Sequence, residues 1–145
     1  MRISDVLRAK GDNVVTVTPE TDVAGLLRVL AEHKIGAAVV SPDGASVVGI
    51  VSERDVVRAL AVRGAVVLSE PVSAISTTAV LTMPPGAPLE EVERLMTERR
   101  FRHVPVVVDG ALGGIVSMGD VVQSRINELE TERATLTGYI TGERI

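Results

Sequence analysis

The sequence Gly-Ile-Val-Ser-Glu-Arg-Asp at residues 49–55 returns as Gly-Ile-Val-Ser-Met-Gly-Asp at residues 114–120, 65 positions later. In each copy an apolar run typical of a buried strand leads into a polar turn and then into a helical spacing of apolar residues. A Ser and an Asp stand three positions apart at that turn. Because a repeat in the sequence indicates a repeat in the fold, the chain is predicted to contain two copies of one structural unit.

The apolar spacing predicts the same order of elements in both halves. A short helix starts at Ile3 and is predicted to stop near Gly11. In the first half we predict a strand at 14–17, a helix at 21–34, paired strands at 35–40 and 47–51, and a helix from 52. In the second half we predict a strand at 80–83, a helix from 88, paired strands at 101–108 and 112–116, and a helix from 117.

The predicted fold class is therefore α/β (α+β), with two β-α-β-β-α repeats and an extended C-terminal helix. Roughly 65 residues support only a marginal core, so the repeats are predicted to pack together about a pseudo-twofold axis. The two motif turns would then lie on opposite sides of a shared cleft. We assign residues 1–66 to the first repeat, 67–127 to the second, and 128–145 to a helical extension.

The C-terminal extension has no counterpart in the first half. Its apolar residues are Leu129, Leu136, Tyr139 and Ile140. An apolar helix face needs a covering surface, and a second copy of the protein is the simplest one. We therefore expect a homodimer.

Composition argues against several classes of function. The chain has 145 residues, a net charge of −4 and 1% aromatic residues, so nucleic acid is not expected as the main partner. With no Cys and two His, no metal site is expected. No apolar run is long enough for a membrane span and the N-terminus has no signal core, so we expect a cytoplasmic protein without a membrane partner. No nucleophile elbow or P-loop occurs, so we expect no catalysis.

The Ser-x-x-Asp turns, Ser52 with Asp55 and Ser117 with Asp120, have two interpretations. The free N–H groups of a first helical turn attract anions, and a carboxylate can accept hydrogen bonds from ribose hydroxyls, so each turn suits a ribose phosphate. The same residues also form a capping box, which only satisfies backbone N–H groups. Duplication copies caps as well as sites, and both interpretations stay open on spacing alone.

The two halves differ where their second strand begins. The second half has Phe-Arg-His-Val-Pro at 101–105, preceded by Arg99 and Arg100, where the first half has Ile-Gly-Ala-Ala at 35–38. Arg102 can bind a phosphate bidentately, and His103 would make such binding sensitive to pH. On this basis the better phosphate site is predicted beside the second repeat, with Ser117 and Asp120. A solvated basic loop is the alternative.

Three further residues complete the set of candidates. Thr16 and Thr82 alternate with apolar residues on the matching first strands, so they are expected to point into the cleft, although Thr also simply favours strands. Arg54 lies in the first motif, one helical turn before Arg58, and is a candidate for contact with an anion; a surface face with salt bridges is the alternative.

These motifs resemble a tandem pair of cystathionine-β-synthase-type (CBS) domains, also called a Bateman module. The resemblance spans residues 1–127 and includes Arg-His-Val-Pro-Val at 102–106. Stand-alone two-domain proteins of bacteria and plant organelles share Ala-Glu-His-Lys-Ile-Gly-Ala at 31–37 and a tail similar to Leu-Thr-Gly-Tyr-Ile-Thr-Gly at 136–142.

The resemblance implies a non-catalytic regulator. It would bind AMP, ADP, ATP or a related adenosyl ligand between the repeats and relay energy or redox state to an unidentified partner protein. The resemblance also implies that the motif Asp residues bind ribose hydroxyls, that the Ser residues support ribose or phosphate, and that the basic residues meet phosphate. Carried onto this sequence, these residues are Asp55, Asp120, Ser52, Ser117, Arg102 and His103. The alternative is a ligand-free structural or interaction module in which the motifs are only helix caps.

Overall fold

The computed structural model describes the backbone of residues 1–141 and the side chains of residues 1–138. The helices in this part are α1 (Ile3–Lys10), α2 (Val23–His33), α3 (Glu53–Arg63), α4 (Leu89–Arg99) and α5 (Met118–Thr141). The strands are β1 (Thr16–Val17), β2 (Ala37–Val40), β3 (Gly49–Ser52), β4 (His103–Val108) and β5 (Ala111–Ser117). Two 3-10 segments, Gly64–Ser69 and Val72–Ala74, link the halves. The predicted order of elements is confirmed, with one difference in the second half.

Each half contains its own small sheet. In the first sheet β2 lies between β1, which is parallel to it, and β3, which is antiparallel. The second sheet is the antiparallel pair of β4 and β5, in which His103 is the partner of Ser117. In both halves the hairpin leads directly into the motif helix, so the Ser-x-x-Asp turns lie at equivalent corners.

The prediction of a strand at 80–83 is wrong, because this segment forms only an isolated bridge, between Met83 and Val106. In the first half the N–H of Val39 donates to the carbonyl oxygen of Val15 at 3.3 Å. The residue at the position equivalent to Val39 is Pro105, which has no N–H and cannot extend the ladder toward Leu81. The segment before Met83 therefore does not pair with the second sheet.

Each of the two hydrophobic cores includes a segment from the other half of the sequence, so the halves exchange segments. Ile3 and Leu7 of α1 pack in the core of the second half, together with Leu89 and Val104. In return, Val67 and Val72, along with other residues of the linker, pack in the core of the first half. Backbone hydrogen bonds fix both exchanges, among them the one from the Ile3 N–H to the Ala87 carbonyl at 3.0 Å. The halves are therefore interlocked, and neither core is complete without residues from the other half of the sequence.

Helix α5 continues well past the second sheet. Its described part exposes Val122, Ile126, Leu129 and Leu136, each at more than 40%. Tyr139 and Ile140, also predicted to be apolar contacts, have side chains outside the described residues. Within residues 1–141, no helix is both long and apolar enough to span a membrane.

Candidate functional site

The first motif forms a complete capping box at the start of α3. Oδ2 of Asp55 accepts hydrogen bonds from the backbone N–H of Ser52 at 2.8 Å and from its hydroxyl at 3.0 Å. The N–H of Asp55 donates in return to Oγ of Ser52 at 3.3 Å. Within the described chain Oδ1 of Asp55 has no hydrogen-bond partner. Capping thus uses one carboxylate oxygen and leaves the other available to a ligand.

The second motif forms the same box at the start of α5. Oδ2 of Asp120 accepts from the N–H of Ser117 at 2.8 Å, and the Asp120 N–H donates to Oγ of Ser117 at 3.1 Å. Asp120 also forms an ion pair with Lys10 at 2.6 Å. Burial raises the pKa of Asp120, but the hydrogen bonds from Lys10 and Ser117 outweigh burial, so its pKa lies below the ordinary value.

The glycine that opens each motif lies at a close approach to a neighbouring segment. A Cβ atom on Gly49 would lie 3.1 Å from the carbonyl oxygen of Thr77, and one on Gly114 would lie 2.8 Å from the side chain of Leu7. Both neighbours belong to the segments that the halves exchange. The repeated Gly therefore serves the packing of the linker and of α1 against the strands.

A cavity of about 400 Å³ lies between the first motif and the entry to β4. Its lining from the first half is Gly36, Ala37, Ile50, Ser52, Glu53, Arg54, Asp55 and Arg58. Its lining from the linker and the second half is Thr77, Ala79, Val80, Leu81, Arg99, Arg100, Phe101, Arg102 and His103. Apolar and polar groups share the lining, as is usual for small-molecule sites.

The cavity groups the candidate residues differently from the sequence prediction. Arg102 and His103 line it together with Ser52 and Asp55 of the opposite half, whereas Ser117 and Asp120 are not part of its lining. The crossed packing of the halves brings the β4 entry against the first motif. His103 lies between the two motifs, since it is also the ladder partner of Ser117. Arg102 and His103 are thus grouped with the first motif in this cavity, and the position of a phosphate beside Ser117 and Asp120 stays a prediction.

The cavity carries an excess of positive charge. Five arginines line it: Arg54, Arg58, Arg99, Arg100 and Arg102. All five are exposed and none forms an ion pair with another described residue. The acidic residues of the lining are Glu53 and Asp55. Unpaired guanidinium groups around a concave surface suit an anionic ligand, above all a phosphate.

The pKa of His103 is lowered, which favours its neutral form. Burial lowers its pKa below the ordinary value, and the nearby Asp120 carboxylate, which acts in the opposite direction, compensates only in part. Lys10 and Arg102 lower the pKa further. A neutral imidazole still donates one hydrogen bond, and a bound anion would raise its pKa.

Neither predicted threonine lines the cavity. Thr16 is half-buried in β1, and Thr82 is exposed and outside any strand. Sequence reasoning missed Val80, Leu81 and Thr77 as site residues. They line the cavity, and Val80 and Leu81 belong to the segment that was predicted as a strand but does not pair with the sheet. It noted Phe101 only as part of the basic segment, although Phe101 is the one Phe of the chain and lines the cavity. Among residues 1–141, no group of three or more His, Cys, Asp or Glu could hold a metal ion.

The fold, with its two equivalent motif turns, is that of a tandem pair of domains of one known class. The CBS domain profile matches residues 3–62 and again 72–127. The chain therefore belongs to the CBS domain family, and the predicted resemblance is confirmed.

The chain is similar to several known proteins over most of its length. It is 34% identical over 148 residues to the mitochondrial CBS domain-containing protein CBSX3 of Arabidopsis thaliana, covering 97% of this chain and 72% of that one. The crystal structure of a CBS-domain protein from Agrobacterium tumefaciens matches with a TM-score of 0.83 and 42% identity, covering 86% and 99%. A CBS domain protein from Pyrobaculum aerophilum complexed with AMP matches with a TM-score of 0.72 and 29% identity, covering 83% and 89%.

Proposed function

We propose that the chain is a non-catalytic regulatory module that binds an adenine nucleotide (AMP, ADP or ATP) in the cavity between the first motif and the entry to β4. One observation carries the proposal. The cavity lining combines Asp55, whose Oδ1 atom has no hydrogen-bond partner in the described chain, with five arginines that form no ion pair there. A carboxylate suits ribose hydroxyls and guanidinium groups suit phosphate, so the lining matches both polar parts of a nucleotide.

The apolar part of the lining suits the base. Ile50, Val80, Leu81 and Phe101 provide aliphatic and aromatic surface in the same cavity. The flat faces of an adenine ring gain affinity from such surface, whereas inorganic phosphate would leave the surface in contact with water. The similar protein from Pyrobaculum aerophilum, whose structure is that of a complex with AMP, supports the same choice of ligand class.

Isothermal titration calorimetry with AMP, ADP and ATP tests the proposal. We expect binding by the natural chain and a loss of about tenfold or more for Asp55→Ala, because the change removes a carboxylate from a residue of the cavity lining. The matched control is Asp22→Ala. Asp22 also caps a helix, since it accepts from the N–H of Gly25 at 2.6 Å, but it does not line the cavity.

The control separates the two interpretations of the motif. Loss of a cap lowers stability by about 1 kcal/mol in either variant. Only a ligand-binding Asp55 also weakens nucleotide binding. The competing candidate is a ligand-free interaction module. No heat with any of the three nucleotides, and no shift in Tm, would favour that module and contradict the proposal.

We also infer that the chain forms a homodimer and acts on a separate partner protein. The exposed apolar residues of α5, among them Leu129 and Leu136, support a second copy as the covering surface. A nucleotide would change the charge of the cavity between the halves. We expect that change to alter how the two halves pack, and thereby the surface that the partner protein contacts. A cytoplasmic location stays a prediction.

A further inference from the structure

The second motif is occupied by a cation that belongs to the chain itself. Nζ of Lys10, the last residue of α1, lies 2.6 Å from Oδ2 of Asp120. The same ammonium group donates a hydrogen bond of 3.0 Å to the carbonyl oxygen of Ile115, inside the motif strand. Both charged side chains are mostly covered, at 31% and 22% exposed. Lys10 is thus held by two acceptors of one motif.

The first motif is built in the same way but lacks this cation. The carbonyl of Ile50, which is the counterpart of Ile115, accepts a hydrogen bond of 2.9 Å from the backbone N–H of Thr77. Within the described residues no Lys or Arg forms an ion pair with Asp55. A neutral backbone donor at one motif therefore corresponds to an ammonium group at the other.

We propose that Lys10 is a built-in counter-ion that closes the second motif to nucleotide, so that each chain binds one nucleotide, in the cavity beside Asp55. The inference rests on the proposed function and adds its stoichiometry. Lys10 and Ser117 both bond to Oδ2 of Asp120, so a ribose hydroxyl can approach only Oδ1, on a carboxylate whose charge the ammonium group already compensates and which is therefore a weaker acceptor than Asp55. A ribose that displaced Lys10 from Oδ2 instead would have to replace a charge-assisted hydrogen bond, which is roughly twice as strong, and would leave the partly buried ammonium group without its carboxylate partner.

Lys10 is one of only two lysines in the chain, the other being Lys34, the residue directly after α2. The other thirteen basic side chains are arginines. A compact ammonium group fits between one carboxylate oxygen and one carbonyl oxygen, a geometry that the planar fork of Arg matches less well. The choice of Lys at this place is consistent with a fixed internal cation.

Calorimetric stoichiometry with AMP tests the inference. We expect one AMP per chain for the natural protein and two for Lys10→Met, which keeps the apolar stem and removes the charge. Lys10→Gln gives a second measurement with a polar stem. Arg8→Met is the matched control from the same helix, because Arg8 pairs only with Asp5, at 3.7 Å. It should bind one AMP.

Adding Asp120→Asn to Lys10→Met should restore one AMP per chain, since the carboxylate that Lys10→Met leaves without its counter-ion is then replaced by an amide. An unchanged stoichiometry in both Lys10 variants would overturn the inference, and so would two AMP molecules on the natural chain. A tenfold loss of AMP affinity in Lys10→Met would also overturn it, because Lys10 would then be a ligand contact.

The two proposals can fail separately. Absence of AMP binding by the natural chain counts against the proposed function. The difference in stoichiometry between Lys10→Met and the natural chain still decides the role of Lys10, since a gain of one site supports it and no gain contradicts it. Circular dichroism melting of every variant confirms that each is folded when the titration is made.

Discussion

The side chain of Leu7 in α1 packs so closely against Gly114 in β5 that a Cβ atom on this glycine would lie 2.8 Å from it. The two residues are far apart in the sequence, yet this contact joins the first helix to the second sheet. It is the counterpart of the contact between Gly49 and the linker at Thr77. Together the two contacts interlock the halves.

We expect Gly114→Ala to destabilise the protein by about 1–3 kcal/mol, because the added methyl group overpacks the contact with Leu7. Urea unfolding measures the free-energy difference. Gly119→Ala is the control: it adds the same methyl group in the first turn of α5, where the nearest atom, Oγ of Ser117, is 3.7 Å away. It should stabilise by up to about 1 kcal/mol. Equal effects in the two variants would contradict the packing role of Gly114.

The ion pair between Lys10 and Asp120 should make stability depend on acid pH. The folded-state pKa of Asp120 is lowered, so the pair contributes stability above the unfolded pKa of about 3.9. That contribution is lost as the pH falls through the folded pKa. We expect Lys10→Met to cost about 0.5–1 kcal/mol at pH 7 and less near pH 3. Urea unfolding at both pH values checks this, and a difference independent of pH would contradict it.

Nucleotide binding should take up a proton at His103. Burial lowers the pKa of this residue, with Asp120 and Glu53 raising it and Lys10 and Arg102 lowering it, so it is neutral in the free protein at pH 7. A phosphate placed beside it raises the pKa, and affinity should therefore increase as the pH falls from about 7 toward 6.

Titrations in buffers of different ionisation enthalpy measure this proton uptake. His103→Gln keeps a hydrogen-bond donor but cannot be protonated, so its uptake should fall to the part that comes from the nucleotide itself. The same uptake in the natural chain and in the variant would show that His103 does not titrate on binding.

The charge of the cavity predicts a preference among nucleotides. Because five unpaired arginines line it, each added phosphate should tighten binding by about 1 kcal/mol, in the order AMP, ADP, ATP. The affinity for ATP should fall most steeply with salt. Calorimetry at two salt concentrations measures both trends. Arg100→Ala should reduce the preference for ATP, whereas Arg28→Ala, outside the cavity, should leave it unchanged; equal affinities for AMP and ATP would contradict the charge argument.

The apolar face of α5 predicts the oligomeric state. Leu129 and Leu136 are 64% and 62% exposed, and a second copy would cover them. Light scattering after gel filtration should give twice the chain mass of 15.3 kDa for the natural protein. The double change Leu129→Glu and Leu136→Glu should give a monomer, while Glu130→Gln on the same helix should not. A natural protein that is already monomeric would contradict the dimer.

The local elements could be predicted from the sequence because their signals are local. The apolar spacing and the acidic cap gave helix α2 nearly its observed limits, and the Ser-x-x-Asp pattern correctly indicated a capping box at Ser52. The strand before Met83 could not be predicted in the same way. Its loss depends on Pro105, which matters only because the fold places this proline opposite the missing partner.

The sequence by itself determined the repeat, the order of helices and strands, the family and the chemical types of the candidate residues. The tertiary structure decided which of them meet. Arg102 and His103 line one cavity with Asp55, His103 is also the strand partner of Ser117 in the second motif, and Lys10 pairs with Asp120. The physical reason is that the halves exchange segments when they pack. Contacts across that exchange depend on the three-dimensional crossing of the chain and leave no periodic signal in the sequence.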